Sequence, residues 1–449
     1  MERTRATPTL RARHRALLAC ALAIALPCHA QSQSASLRID YELGLMGLHT
    51  DNVELAPGGG HSETILAPTL SVDARKDSAD VQLRARGSFQ YLDYRSGRYD
   101  DEAVGDFAGQ LNWFVVPDRV ALAFADYLGR APVDITGGLT PGNQQEINVF
   151  TAGPSFYFRP GDATRGQIDL RFADTRSDET SEFDGNRYTG ALRLLHLLSP
   201  NQTLSANLEG TKVDFGGGPG TDYERYDLYA GYLRDSDRID IELAGGYSRI
   251  ERDDAGGVAG LAQRLSGPLA RVNIGWQVAP RSRIDIDARH EFADSATDLI
   301  ARSSRFDEPV IEDLSSPNVL VSASLYRVRR LELGYQYESE RFTAYVRPYV
   351  ERIRYEERGG ADWDSRGAYV DLRYKLRPRL ELQAWGLSER RELMDARTDR
   401  DTSVRLGLSY EFSRRLRGFV GAQRRERNSS LPGQDYRENS VMAGLYWRR

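Results

Sequence analysis

In the stretch Tyr345-x-Arg347-x-Tyr349 two phenol rings and a guanidinium recur at every second position. In an extended strand that spacing puts all three on one face, opposite Phe342, Ala344 and Val346. Aromatic faces carry partial negative charge and take up the C–H faces of sugar rings, while guanidinium and carboxylate groups hydrogen-bond hydroxyls. The chemistry such a row could do is to hold a carbohydrate moving along a wall. Other runs offer faces of the same kind: Arg84 and Arg86; Asp240 and Glu242; Asp285, Asp287 and Arg289; Asp371 and Arg373. The plainer reading of any of them is that paired charges solvate the wall and support one another across strands.

Covalent chemistry has little to work with. Both cysteines, Cys20 and Cys28, fall before residue 31, so a chain cut there has no disulfide, thiolate metal site or cysteine nucleophile. Of the histidines beyond that point, His49, His61, His196 and His290, none accompanies a G-x-S-x-G or a histidine–serine signature. The acids of Asp174-x-x-x-Asp178-Glu179-x-x-Glu182-x-Asp184 are oxygen donors for calcium, yet their spacing matches no fixed loop and a solvated surface explains them. Gly216-Gly217-Gly218-Pro219-Gly220 lies between two strands, with no helix to complete a phosphate loop. The expectation is a chain without catalytic site, metal or cofactor.

The elements that position these residues follow from hydropathy. Charged residues make up 28% of the chain and mean hydropathy is -0.54; no run nears the roughly eighteen apolar residues of a spanning helix. The net charge of -5 is spread in mixed sign, which leaves no basic stripe for nucleic acid. Residues 1–30 have the pattern of an export signal: Arg3, Arg5, Arg11, Arg13 and Arg15, then the apolar run Ala16–Leu26, Pro27 and Cys28-His29-Ala30, with cleavage expected after Ala30. Leu17-Leu18-Ala19-Cys20 imitates a lipoprotein box but falls too early in the apolar run.

From Leu37 onward, runs of about ten residues alternate with period two. Leu37, Ile39, Tyr41, Leu43 and Leu45 oppose Arg38, Asp40, Glu42 and Gly44; Val404, Leu406, Leu408 and Tyr410 oppose Arg405, Gly407, Ser409 and Glu411. Alternation of this kind places one face in lipid and the other in a polar lumen, and a closed sheet satisfies the backbone where water is absent. Short turns are expected at Lys76-Asp77, Pro117-Asp118, Pro160-Gly161, Ser199-Pro200, Asp235-Ser236, Ala279-Pro280, Ser339-Glu340, Arg377-Pro378 and Ser413-Arg414. They define an all-β, transmembrane antiparallel β-barrel of about 20 strands, within about 18–22, over residues 31–449. Its short turns would be periplasmic and its long loops, among them Arg130–Gln144, Glu251–Ser266, Asp294–Pro317 and Glu392–Asp401, extracellular.

Trp113, Tyr157, Trp276, Tyr374, Tyr410 and Trp447 stand near the short turns, where an aromatic girdle belongs. One segment is ambiguous. Val319–Tyr337 has apolar residues at odd positions, but Arg327-Val328-Arg329-Arg330 interrupts them and competes with Ser339-Glu340 as the turn. If Arg327–Arg330 is the turn, the row at 345–349 falls in an outer loop. With the first strand starting soon after the presumed cleavage point, no N-terminal plug is expected, and any constriction must come from inward folding of 130–144, 251–266 or 294–317.

After the first strand comes Thr50-Asp51-Asn52-Val53-Glu54-Leu55-Ala56-Pro57, followed by Ser62, Ile65 and Pro68. This opening resembles that of a β-barrel porin family associated with bacterial exopolysaccharide and PEP-CTERM (exosortase) loci. The last strand, with Val441, Ala443, Leu445 and Trp447 alternating, departs from the usual ending in that Arg448 and Arg449 stand where a terminal aromatic is common. The resemblance implies an outer-membrane component of exopolysaccharide export, with lipopolysaccharide, the barrel-assembly machinery, polysaccharide and periplasmic export proteins as partners. A general diffusion porin for small solutes and a structural or adhesive surface barrel stay open as alternatives.

Overall fold

The computed structural model describes residues 36–134, 136–215, 222–252, 263–303, 321–356, 362–393 and 396–449, with the backbone alone of 300–303. The expected export signal at 1–30, the Gly-rich run at 216–220 and most of the 251–266 loop lie outside the described residues.

Twenty antiparallel strands form one sheet. They are β1 (Arg38–Thr50), β2 (Glu63–Asp77), β3 (Val81–Tyr94), β4 (Glu102–Val116), β5 (Val120–Pro132), β6 (Gln144–Phe158), β7 (Thr164–Ser177), β8 (Gly185–Ser199), β9 (Gln202–Phe215) and β10 (Tyr223–Arg234). The second half comprises β11 (Ile239–Arg252), β12 (Arg264–Ala279), β13 (Ser282–Ala293), β14 (Tyr326–Glu338), β15 (Phe342–Tyr355), β16 (Trp363–Arg377), β17 (Leu380–Leu393), β18 (Thr398–Glu411), β19 (Leu416–Ser429) and β20 (Tyr436–Arg448). Each strand pairs with its sequence neighbours, and β1 pairs with β20 from Glu42↔Arg448 to Thr50↔Ser440, which closes the barrel and removes its edges.

Alternation decides which face meets lipid. Leu43, Leu45, Leu228, Val441 and Leu445 point outward and are exposed, Leu228 at 64% and Val441 at 57%. Apolar area left open on that scale would cost about 25 cal/mol per Å² in water and nothing in hydrocarbon. No described helix is long and apolar enough to cross a membrane; the strands do so instead. The strands run to 16 residues in β12, longer than the ten-residue runs expected, because polar outward positions continue the pairing above the apolar belt. For that reason the expected loop Glu392–Asp401 shrinks to 394–397 between β17 and β18.

At one rim the strand bounds leave only residues 78–80, 117–119, 159–163, 200–201, 235–238, 280–281, 339–341, 378–379 and 412–415, which match the nine expected turns. Ser339 closes its turn by accepting from the Phe342 amide and donating to the Phe342 carbonyl, both at 3.0 Å. Ser78 and Ser236 do the same at their turns. A serine that satisfies both backbone groups three residues on makes a compact reversal. Arg327–Arg330 has no such device and lies within β14, so the row at 345–349 belongs to a membrane strand. Val321, Ala323 and Leu325 are not strand residues: they are buried in the barrel interior on the way into β14. The expected girdle needs one correction. Trp113 and Trp276 face outward at 47% and 49% exposure, but Tyr157 pairs with Gln167 on the inner face while Phe156 and Phe158 point to lipid.

Candidate functional site

All twelve expected lumen residues take inward positions. On β13 and β11, Arg283 Nη2 lies 3.2 Å from Asp240 Oδ2 and Arg283 Nε lies 2.8 Å from Asp285 Oδ1, which joins two expected acids through a cation not singled out beforehand. Glu242 pairs in register with Asn273, whose amide donates to Asp287 at 3.2 Å. Arg84 and Arg86 sit on β3, Arg86 opposite Asp73, on another part of the wall. Asp371 accepts from Arg373 Nε at 3.0 Å.

The row on β15 is part of a larger surface. The Arg347 guanidinium carbon lies 4.8 Å from the Tyr345 ring centre, and Arg347 Nε is 2.8 Å from Glu332. Tyr345 meets Tyr369 of β16 edge-on at 6.1 Å; Tyr369 meets Trp385 of β17 at 5.9 Å; Arg405 of β18 lies 5.6 Å from the Trp385 ring. Tyr345, Tyr369 and Trp385 are each half-buried. Tyr349 stands apart from them: Arg330 covers its ring at 4.7 Å and its hydroxyl donates to Glu389, which leaves it buried. Tyr369 and Trp385 were legible, since each continues by two residues an inward face, Asp371/Arg373 and Glu381/Gln383 respectively.

Two loops enter the lumen on the long-loop side. The segment after β13 forms helix α1 (Ser295–Ser303). Asp294 caps it by accepting from the Thr297 amide at 2.8 Å, the role an N-cap acid fills best. The same carboxylate accepts from Arg187 Nη1 of β8 at 2.8 Å and from the Tyr223 hydroxyl of β10. Asp298 receives Arg289 through two nitrogens, at 2.7 and 3.1 Å, and the Tyr326 hydroxyl at 2.7 Å. On the apolar side Ala296, Leu299 and Val321 pack with Ala131, Ile147 and Val149 of β5–β6 and with Phe183 from the β7–β8 connection. Helix α1 thus leaves the wall at β13 and docks on strands seven and eight positions back in the chain, β6 and β5. The second loop, 133–143, is braced by Asn143, whose amide donates to the Asp134 and Gly138 carbonyls at 2.8 and 2.9 Å. It reaches β18–β19, where the Thr136 carbonyl accepts from Arg397 Nη2 and Arg427 Nη1 at 2.8 and 2.9 Å. Gly138 packs close to Leu55: a Cβ there would stand 2.8 Å from the end of the Leu55 side chain, which would have to shift. Of the three loops expected to narrow the pore, 130–144 and the start of 294–317 thus contact distant strands across the lumen; 304–317, and 253–262 of the third loop, are outside the described residues.

Burial pushes the Asp294 carboxyl upward, but the Arg187 charge, its hydrogen bond and those from Tyr223 and the Thr297 amide outweigh it and hold the group below the ordinary carboxylate range. The sign of the linkage is then fixed. Ion pairing at Asp294 stabilises the docked helix fully above the undocked pKa of about 3.9 and loses this as pH falls through the lower docked value. Single-channel conductance is expected to stay flat from about pH 8 to 5 and to rise below about pH 4. Asp294→Asn keeps the cap but not the charge, so it should be more open at neutral pH and lack the acid rise.

The motif at 50–57 serves the seam rather than the lumen. Asp51 accepts from the Asn439 amide nitrogen at 2.7 Å and from its side chain at 2.8 Å, and Asn52 Nδ2 donates to the Ala56 and Arg437 carbonyls at 2.9 Å. It clasps the β1–β2 loop to β20, where first and last strands meet. The histidines hydrogen-bond to neighbours: His49 with Thr64, His61 with Glu54, His196 with Thr164 and His290 with Arg329. Of the acids weighed for calcium, Asp174 accepts from Arg176 and Asp184 from the Ser177 amide; among the described residues no acidic or histidine cluster suited to a metal occurs.

A closed, all-antiparallel barrel with an apolar exterior and a charged, water-accessible interior defines the class: a porin-like β-barrel of the outer membrane. Residues 341–449 match the family model described as "Putative beta-barrel porin 2". No curated protein matches the chain. Among solved structures the chain is similar to the siderophore receptor PirA of Pseudomonas aeruginosa, at 13% identity over 93% of this chain and 81% of that one, with a TM-score of 0.45. It is also similar to the FrpB iron transporter of Neisseria meningitidis (8% identity, 91% and 81% covered, TM-score 0.42) and to OmpT, an outer membrane protein of Vibrio cholerae (12%, 94% and 100%, TM-score 0.34).

Proposed function

We propose that this barrel is a passive conduit for exopolysaccharide across the outer membrane, its short turns in the periplasm and its loop-narrowed mouth outside. The observation that carries the reading is the inward row Tyr345–Tyr369–Trp385, flanked by the Arg347 and Arg405 guanidiniums. Half-buried rings set edge to face on three neighbouring strands give a glycan apolar surface along the wall, and the adjoining cations and carboxylates exchange hydrogen bonds with hydroxyls as it moves. No covalent step is involved. Contacts of this kind are individually weak, which suits transport: a polymer must leave each position as easily as it arrives.

The test is current recording from the purified barrel in planar bilayers. Fragments of the exopolysaccharide from the bacterium that encodes the chain should interrupt the current for longer as they lengthen. Current insensitive to glycan fragments but carried freely by small ions and sugars would favour a general diffusion porin; a barrel that conducts nothing would favour a structural or adhesive role.

A further inference from the structure

We propose that the outward face of β13–β18 carries a binding site for the phosphorylated headgroup of an outer-leaflet glycolipid. The strand parity that sends Leu331, Val350 and Val404 to lipid, at 43%, 51% and 46% exposure, also sends out a band of cations, one row of it beyond Leu331 and Val350 and the other level with them. His290, Arg329 and Arg352 lie in register across β13, β14 and β15; Arg366, Arg390 and Arg400 lie in register across β16, β17 and β18. The first row stands two residues beyond the level of Leu331 and Val350, on the side of the long loops. It therefore falls where the apolar belt gives way to headgroups.

The charges there do not cancel. Asp364 is shared between Arg352, at 2.9 and 3.1 Å, and Arg354, at 2.6 Å, while Glu392 takes Arg390 at 3.0 Å. Arg329 donates to the His290 ring nitrogen at 3.2 Å and has no carboxylate partner among the described residues. The side chains of Arg366 and Arg400 have no hydrogen-bond or ion-pair partner among the described residues. At the same level elsewhere the pattern differs: Arg176 pairs with Asp174 at 2.7 Å, Lys212 with Asp214 at 3.4 Å, and Arg249 with Glu251. On β13–β18 cations exceed acids, and the surface between them is concave, a depression of about 660 Å³ with Leu331 and Val350 among its apolar lining.

Uncompensated guanidiniums at a membrane face are costly unless an anion meets them. Phosphate is the anion that fits: its oxygens match the planar guanidinium fork, and the reduced dielectric of the interface strengthens each contact relative to water. An apolar floor directly below accepts acyl chain. A phosphorylated, acylated glycolipid supplies both parts in the leaflet that the long-loop rim occupies.

The experiment uses the full mature barrel in detergent and bis-phosphorylated lipid A as probe, read by native mass spectrometry. Wild type should bind it about tenfold more tightly than Arg329→Gln/Arg366→Gln/Arg390→Gln, and dephosphorylated lipid A should not discriminate between the two. Arg176→Gln, an outward arginine away from the band, should bind as wild type. Heat-modifiable migration on gels reports the fold; should the triple variant not fold, Arg366→Gln/Arg400→Gln, which breaks no pairing, takes its place. Equal binding by wild type and variant overturns the proposal. Displacement of lipid A by millimolar inorganic phosphate also overturns it, since the site would then recognise free phosphate rather than a lipid.

Discussion

Replacing Asp294 and Asp298 together by alanine will raise single-channel conductance several-fold while leaving the barrel folded. Each acid anchors helix α1 to an arginine of the wall, Asp294 to buried Arg187 and Asp298 to half-buried Arg289, and each also takes a tyrosine hydroxyl. Removing one partner of a buried pair costs about 3–5 kcal/mol. The loss here falls toward the lower end, because Arg187 and Arg289 line a lumen that water can re-enter. Two such losses still total about 6 kcal/mol, more than the roughly 2–3 kcal/mol that burial of Leu299 contributes. The docked state then no longer prevails, since each 1.4 kcal/mol shifts the population tenfold. The twenty-strand ladder does not depend on these carboxylates, so heat-modifiable migration should be unchanged. A folded variant with wild-type conductance would mean that α1 does not limit the pore.

The second large effect concerns the aromatic row. Tyr345→Ala/Tyr369→Ala/Trp385→Ala should cut the residence time of glycan fragments in the channel by about 10²-fold, if each ring supplies about 1 kcal/mol of stacking. Conductance of small ions should hold steady or rise slightly, because side chains are removed from the wall. Tyr349→Phe is the control: its ring lies under Arg330 and its hydroxyl serves Glu389, so it should alter stability rather than glycan residence. Unchanged residence in the triple variant would assign these rings to wall packing.

The barrel was legible because a period of two is a local property of each strand, and twenty strands repeat it. The same argument placed Tyr345, Arg347 and the other lumen residues on the correct face, since parity follows once a strand is in register. The turn at Ser339 could have been preferred over Arg327–Arg330 from chemistry alone: serine satisfies both backbone groups of a reversal, and a run of arginines does not. What sequence could not reveal is long-range partnership. Nothing local in Asp294 announces Arg187, 107 residues earlier, nor does Thr136 announce Arg427, 291 residues later. Val321, Ala323 and Leu325 imitated a strand because a segment packed inside a barrel also alternates between wall and solvent. Tyr157 misled for a related reason: proximity to a turn gives height in the membrane, and only register gives the face.

The central claim, that polysaccharide leaves through this lumen, is tested most directly by deleting the gene in a bacterium with an intact synthesis pathway and measuring polysaccharide on either side of the outer membrane. Surface material should fall and periplasmic polymer accumulate, with recovery by wild type and poor recovery by the Tyr345/Tyr369/Trp385 variant. Secretion that continues at the parental level in the deletion strain would contradict the account.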